Sequence, residues 1–300
     1  GMYYESLTLK DGVSLEGEDA NNVVIQCDMR QSPVLIIENC KNVHITGLTL
    51  KHYNPMPIED NADGKWAVVQ IDNSSVSLNR LIVCDSRAEG IRIKNSSDSS
   101  EQVAVADCVV HNNRSFGILV CGYGRAELKD NTCINNNKNG IYFQGDSGGS
   151  IKGNLCKDNA YNGISVDENA VVEVIANTCS KNKWAGIWLG SKGPLNVNDN
   201  ICNDNGASGI EINSKIKAVV IGNTCRSNGI NGIYFRNGAF GIARENICAE
   251  NGWHGISIDQ FSSPIVENNK CCDNKKCGIC ISFSRTTSRA VFYKVSGRDK

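Results

Sequence analysis

The sequence has no excess of charge of either sign: 31 lysines and arginines stand against 32 aspartates and glutamates, for a net charge of -1. No global field draws such a chain to nucleic acid or to an anionic membrane surface, so neither is expected as a partner. It also lacks any apolar run long enough to cross a bilayer, and Gly1–Lys10 has neither the charged nor the hydrophobic region of a signal peptide. The chain reads as soluble. Gly1 ahead of Met2 reads as the remnant of a removed tag, which leaves open a natural leader or flanking domain. Cysteine, by contrast, is plentiful. Fifteen cysteines in 300 residues suit neither a short disulfide scaffold nor an even set of pairs.

Their spacing is regular. A Gly-Ile pair begins at Gly117, Gly140, Gly163, Gly186, Gly209, Gly232, Gly255 and Gly278, each 23 residues after the last. Cysteine keeps this period from Cys133 to Cys271, and Cys108 is read as an eighth member one longer coil earlier. Asparagine keeps it twice, from Asn131 to Asn269 and from Asn136 to Asn274. Self-similarity at one fixed period is the signature of a solenoid. Two-helix repeats need longer units. The spaced leucines and the amphipathic helix of a leucine-rich repeat are missing. Segments such as Gly163-Ile164-Ser165-Val166-Asp167 and Gly209-Ile210-Glu211-Ile212-Asn213 alternate apolar with polar residues, as strands exposed on one face do. The expected fold is all-β: a single-stranded parallel β-helix forming one domain over 1–300. Irregular coils are expected over about 1–107, regular ones over about 108–281 and a closing segment over about 282–300.

In such a helix each repeat position becomes a column, with neighbouring coils about 4.8 Å apart. Stacked asparagine amides both donate and accept, so the two columns are expected to form internal ladders. Cysteine in a column next to apolar positions packs as a small hydrophobe, which points to reduced thiols and a cytoplasmic compartment. Upstream, Asp72-Asn73 and Lys94-Asn95 occupy matching places, and Leu48 and Leu81 precede Cys108 in its inward column. Val13–Gly17 and Val23–Ile25 read as the first coils, His52–Lys65 as a protruding loop, and Ala290–Tyr293 as closing the far end. Cys271, Cys272, Cys277 and Cys280 invite a zinc reading. The last two straddle Gly278-Ile279, however, and an extended backbone would separate them by about 10 Å, so no metal or other cofactor is expected.

The unit Asn-Xaa-Cys-Xaa-Xaa-Asn followed by Gly-Ile resembles the β-helix repeats grouped with carbohydrate-binding proteins and sugar hydrolases. It is especially similar to those of F-box β-helix and nitrous-oxide-reductase maturation proteins. The resemblance covers Val13 to Ile281 and implies the right-handed, pectate-lyase-like fold. The catalytic motifs of that superfamily are not assembled. Arg92-Ile93-Lys94 matches a short polygalacturonase motif, but the Asn-Thr-Asp, Asp-Asp and His-Gly motifs that should precede it are missing. Trp253-His254-Gly255 follows it instead, and the Asp-Pro-His motif of alginate epimerases is absent.

Paired acids can still serve glycoside chemistry. Asp167 and Glu211 project from one sheet two coils apart, with carboxylates expected about 10 Å from each other, near the upper limit for inverting hydrolysis. They are candidates only, and no catalytic residue is assigned. For binding, Tyr142, Trp188 and Tyr234 share an outward column, while Tyr161, Trp184 and Trp253 form a border column four residues earlier. Asp167, Glu211, Arg236 and Asp259 add hydrogen-bonding groups on the same face. Aromatic rings among polar groups suit stacking on sugar rings or anchoring a protein. The first functional reading is therefore a non-catalytic scaffold that recognises a polysaccharide or a protein on its outer sheet. Two alternatives stay open: a carbohydrate-active lyase, hydrolase or epimerase with a site near His44, His52 and the long loop, and a structural interaction segment of a larger protein.

Overall fold

In the computed structural model the chain winds as a right-handed parallel β-solenoid, described over residues 1–28, 32–53, 66–193, 195–259, 261–282 and 291–293. No helix occurs among these residues. Three 12-stranded parallel sheets run the length of the molecule. The first begins at Met2–Tyr4 and ends at Lys270–Cys272. The second runs from Leu7–Thr8 to Ile279–Ile281, and the third from Ser14–Glu16 to Val291–Tyr293. A typical coil passes through Arg125–Lys129 on the third sheet, Thr132–Ile134 on the first and Ile141–Phe143 on the second.

The corners explain the asparagines. The residue before each ladder asparagine sits in the left-handed region: Asp130 (φ 53°) before Asn131, Asn135 (φ 55°) before Asn136, and Gly153 (φ 69°) before Asn154. Asn, Asp and Gly tolerate this conformation best, and they turn the chain inward. The asparagine that follows is buried and bonds in three directions. Asn154 Nδ2 donates to Asn177 Oδ1 (3.0 Å) and to the Leu128 carbonyl (2.9 Å), while its Oδ1 accepts from the backbone N–H of Asn131 at 2.9 Å. The Gly-Ile glycines leave room for the second ladder: a β-carbon on Gly163 would lie 2.7 Å from the Gly186 carbonyl and 2.9 Å from Asn182 Nδ2. Each of these glycines is therefore a close-approach requirement.

Inward isoleucine, valine and phenylalanine side chains fill the coils, with Phe143 and Phe235 fully buried. The cysteine column differs from its expected composition. Seven cysteines, from Cys133 to Cys271, pair in register from coil to coil, but Cys133 is preceded by Val110, Val83 and Leu50. Cys108 stands instead at the head of the first asparagine column, where its backbone N–H donates to Asn131 Oδ1 at 3.0 Å. The coil there has the ordinary length, so the longer coil needed to align Cys108 with Cys133 does not exist. Leu48 and Leu81 do precede Cys108, and all three are buried. Burial drives the Cys108 thiol up to about 12.

Asp72 and Lys94 are register partners, as their sequence context suggests. The solenoid starts earlier than Val13, since Met2–Tyr4 already pairs with Val24–Asp28. Val291–Tyr293 adds the last rung of the third sheet. Residues 54–65 of the expected loop and most of the closing segment lie outside the described residues.

Candidate functional site

The outer face of the second sheet carries a groove of about 720 Å³. Its floor is one unbroken register column, Tyr142–Ser165–Trp188–Glu211, which Tyr234 continues on the next coil beyond the groove, so aromatic rings alternate with Ser165 and Glu211. Rings on alternate coils stand about 10 Å apart. One wall comes from the border column, where Tyr161 and Trp184 stack with centroids 5.5 Å apart and planes 16° from parallel. Both rings remain largely exposed (44% and 56%), an unusual disposition for so much aromatic surface unless something else covers it.

Seven of the ten candidate binding residues line this groove: Tyr142, Tyr161, Asp167, Trp184, Trp188, Glu211 and Arg236. Tyr234, Asp259 and Trp253 do not. The first two continue the face downstream, with the Tyr234 hydroxyl donating to Asp259 Oδ2 at 2.6 Å. Trp253 is 54% exposed and edge-on to His254. Phe116 and Lys138 were missed by sequence reasoning. Lys138 occupies the border column one coil before Tyr161, and its ammonium lies 5.0 Å from the Phe116 ring centre, while that ring packs 4.8 Å from Tyr142. The 23-residue period ahead of Tyr161 was the available signal.

The polar groups are organised by diagonals that link each coil to the next. Tyr142 donates to Asp167 Oδ2 at 3.3 Å, and Arg236 Nη1 lies 3.4 Å from Glu211 Oε1. Asp167 and Glu211 do project from the same sheet two coils apart, offset by one outward position. Glu211 is partly buried, its side chain 14% exposed. Burial raises its carboxyl above the usual range and outweighs the opposing pull of Arg236. Such a group holds a proton to higher pH than a surface carboxyl does. Burial and the facing Asp167 raise the Tyr142 hydroxyl, which therefore stays protonated and can donate. The site thus offers a carboxyl of raised proton affinity, a guanidinium beside it and apolar platforms on either side.

Other candidates do not converge. His44 lies on the third sheet and His52 on the first, where it is buried. His254 Nδ1 accepts from the Cys277 backbone N–H at 3.2 Å, as a turn histidine would. Cys271 is buried and Cys277 exposed, and no group of three or more metal-binding side chains forms among the described residues.

The family model described as "Right handed beta helix region" matches residues 66–215 and, overlapping, 162–296. No curated protein sequence gives a significant match. Among solved structures, the A-module of the Azotobacter vinelandii mannuronan C-5 epimerase AlgE6 superposes with a TM-score of 0.75 at 14% identity, covering 100% of this chain and 89% of its own. The periplasmic alginate epimerase AlgG gives 0.78 at 17% identity, covering 99% and 78%. The catalytic unit of the GH87 α-1,3-glucanase from Streptomyces thermodiastaticus strain HF3-3 gives 0.66 at 12% identity, covering 100% and 62%. These neighbours are carbohydrate-active enzymes built on the same solenoid.

Proposed function

The chain belongs to the right handed beta helix region family, and from that premise we propose that it is a carbohydrate-active enzyme. It holds an extended polysaccharide along the groove of the second sheet, with Glu211 as the proton-transfer residue. The observation that carries this reading is the position of the Glu211 carboxyl: desolvated, raised in proton affinity and seated in the aromatic floor column between Trp188 and Tyr234. A scaffold that only binds sugars accounts for the rings. It gives no reason to bury an acid in the groove, where desolvation of the carboxylate costs free energy that Arg236 only partly offsets.

The roles follow from the chemistry of each group. Trp188 and the Tyr161–Trp184 stack offer apolar faces to pyranose rings, whose C–H surfaces favour aromatic contact. Glu211 delivers or removes a proton at the sugar carbon or bridging oxygen placed over it, and Arg236 stabilises its charged form. Tyr142 and Asp167, three and two coils upstream of Glu211, orient hydroxyls there. The alginate epimerases and the glucanase act on polysaccharides, which supports that substrate class here.

The test is direct. Purified protein is incubated with mannuronan, polygalacturonate and α-1,3-glucan over a range of pH. Epimerisation is followed by NMR, unsaturated ends by ultraviolet absorbance, and new reducing ends by colorimetry. Conversion of one polymer, abolished in Glu211→Gln and weakened in KM by Trp188→Ala, is the expected result. Turnover undiminished in Glu211→Gln would overturn the role of that residue, and no conversion of any polymer would overturn the enzymatic reading.

A further inference from the structure

The groove face contains the same two-coil cassette twice. Asn139-Gly140-Ile141-Tyr142-Phe143 recurs four coils downstream as Asn231-Gly232-Ile233-Tyr234-Phe235. The coil after each repeats as well: Gly163-Ile164-Ser165-Val166-Asp167 returns as Gly255-Ile256-Ser257-Ile258-Asp259. The 23-residue period alone does not require this, because the two coils between the cassettes carry Trp188 and Glu211 in the floor column, with Gly190 and Asn213 beside them.

The repetition extends to side-chain geometry. Tyr142 donates to Asp167, and Tyr234 donates to Asp259 across the same 25-residue diagonal. Asn139 Oδ1 accepts the Asn162 backbone N–H at 2.9 Å, and Asn231 Oδ1 accepts that of His254 at 3.2 Å. Each cassette has an exposed aromatic at the matching border position, Tyr161 in one and Trp253 in the other. Ser165 and Ser257 follow the tyrosines in the floor column. Only the first cassette lies within the groove described above.

We propose that the Tyr234–Asp259 cassette is a second sugar-binding subsite, equivalent to Tyr142–Asp167, and that one polysaccharide chain occupies both while passing over Glu211. The inference rests on the polysaccharide reading of the groove and deepens it. Four coils place the two subsites about 19 Å apart, so the site recognises an oligomer of several pyranose units. In each subsite the aromatic ring takes the apolar face of a sugar, and the aspartate, already holding the tyrosine hydroxyl, accepts from the sugar's hydroxyls; at the first subsite its other oxygen, Asp167 Oδ1, also accepts the Glu168 backbone N–H at 2.7 Å. At the second subsite the corresponding oxygen, Asp259 Oδ1, is closed off from solvent and has no hydrogen-bond partner among the described residues, so the carboxylate turns outward when that oxygen accepts from a sugar. The two copies differ where Gln144 is replaced by Arg236, whose guanidinium lies 5.5 Å from the Tyr234 ring and reaches Glu211. The second subsite is thereby coupled to the central acid.

Calorimetric titration with mannuronan and α-1,3-glucan oligosaccharides, from the disaccharide upwards, tests the proposal on the full chain. Wild-type affinity is expected to rise by about tenfold or more once the oligomer is long enough to reach both subsites, because the second contact then becomes intramolecular. Asp259→Asn and the exposed Trp253→Ala should each remove that step while leaving the affinity for short oligomers within about twofold. Circular dichroism checks that both variants fold. If short oligomers bind, Trp188→Ala weakens them and no length step appears, the second subsite is wrong and the groove reading stands. A step that persists in both variants also overturns the second subsite. If no oligomer binds, the groove reading fails and the subsite falls with it.

Discussion

The indole of Trp188 lies across Gly190: a β-carbon on Gly190 would collide with the edge of the six-membered ring and come within 2.9 Å of Asp167 Oδ1. Gly190 occupies the outward column between Asp167 and Asn213, and its missing side chain leaves the space that the ring edge fills.

Gly190→Ala is therefore expected to lift the Trp188 ring out of the groove floor. Gly190 does not have a left-handed φ, so the backbone accepts alanine without strain. Oligosaccharide affinity should fall about tenfold, the worth of one aromatic contact. The melting temperature should barely move, and the tryptophan emission should shift to longer wavelength. Unchanged affinity would show that the ring's position over Gly190 is irrelevant to binding.

Arg236→Gln removes the cation that opposes the effect of burial on Glu211. The carboxylate then loses a stabilising neighbour, and the pKa of Glu211 should rise further. If Glu211 acts as an acid, the alkaline limb of the kcat profile moves to higher pH. If it acts as a base, the acid limb moves in the same direction. A kcat profile superimposable on wild type, with only KM altered, would place Arg236 in substrate binding alone.

Much of this was legible in the sequence because a solenoid converts period into position. Counting by 23 places Tyr142, Trp188 and Tyr234 in one column and both asparagine ladders inside, and the structure has them there. The same count, applied to Cys108, leads to Asn131. Matching cysteine to cysteine led astray, since residue identity is a weaker guide than register where a thiol and an amide can share a corner. Contacts set by side-chain lean were not legible. The diagonals from Tyr142 to Asp167 and from Arg236 to Glu211 join different columns, and the burial of Glu211 depends on neighbours that a single alternating strand does not reveal.

Asn205 tests the ladder. Its Nδ2 donates to Asn228 Oδ1 and to the Cys179 carbonyl, both at 3.0 Å, and its Oδ1 accepts from the Asn182 backbone N–H at 3.1 Å. Asn205→Ala strands these buried groups, at a cost of about 1–3 kcal/mol each where no water replaces the amide. Asn274 ends the same ladder and is only partly buried, so Asn274→Ala should cost distinctly less. Equal losses in denaturant melts would mean that the asparagines act through local turn conformation and not through the stacked amides.

His52 should make stability depend on mildly acidic pH. Burial, against the opposing influence of the Ser32 carbonyl and Asp28, holds its imidazole down at about 4, whereas in the unfolded chain it titrates near 6.5. Between these values the unfolded state binds the extra proton. The contribution is thus fully present above about 6.5 and is lost as pH falls towards about 4, by up to about 3 kcal/mol. His52→Leu removes that titration while keeping an apolar side chain at the buried position. The variant should show a flatter dependence of unfolding free energy on pH across this window, whatever its absolute stability. Parallel curves for the two proteins would mean that His52 has the same proton affinity folded and unfolded.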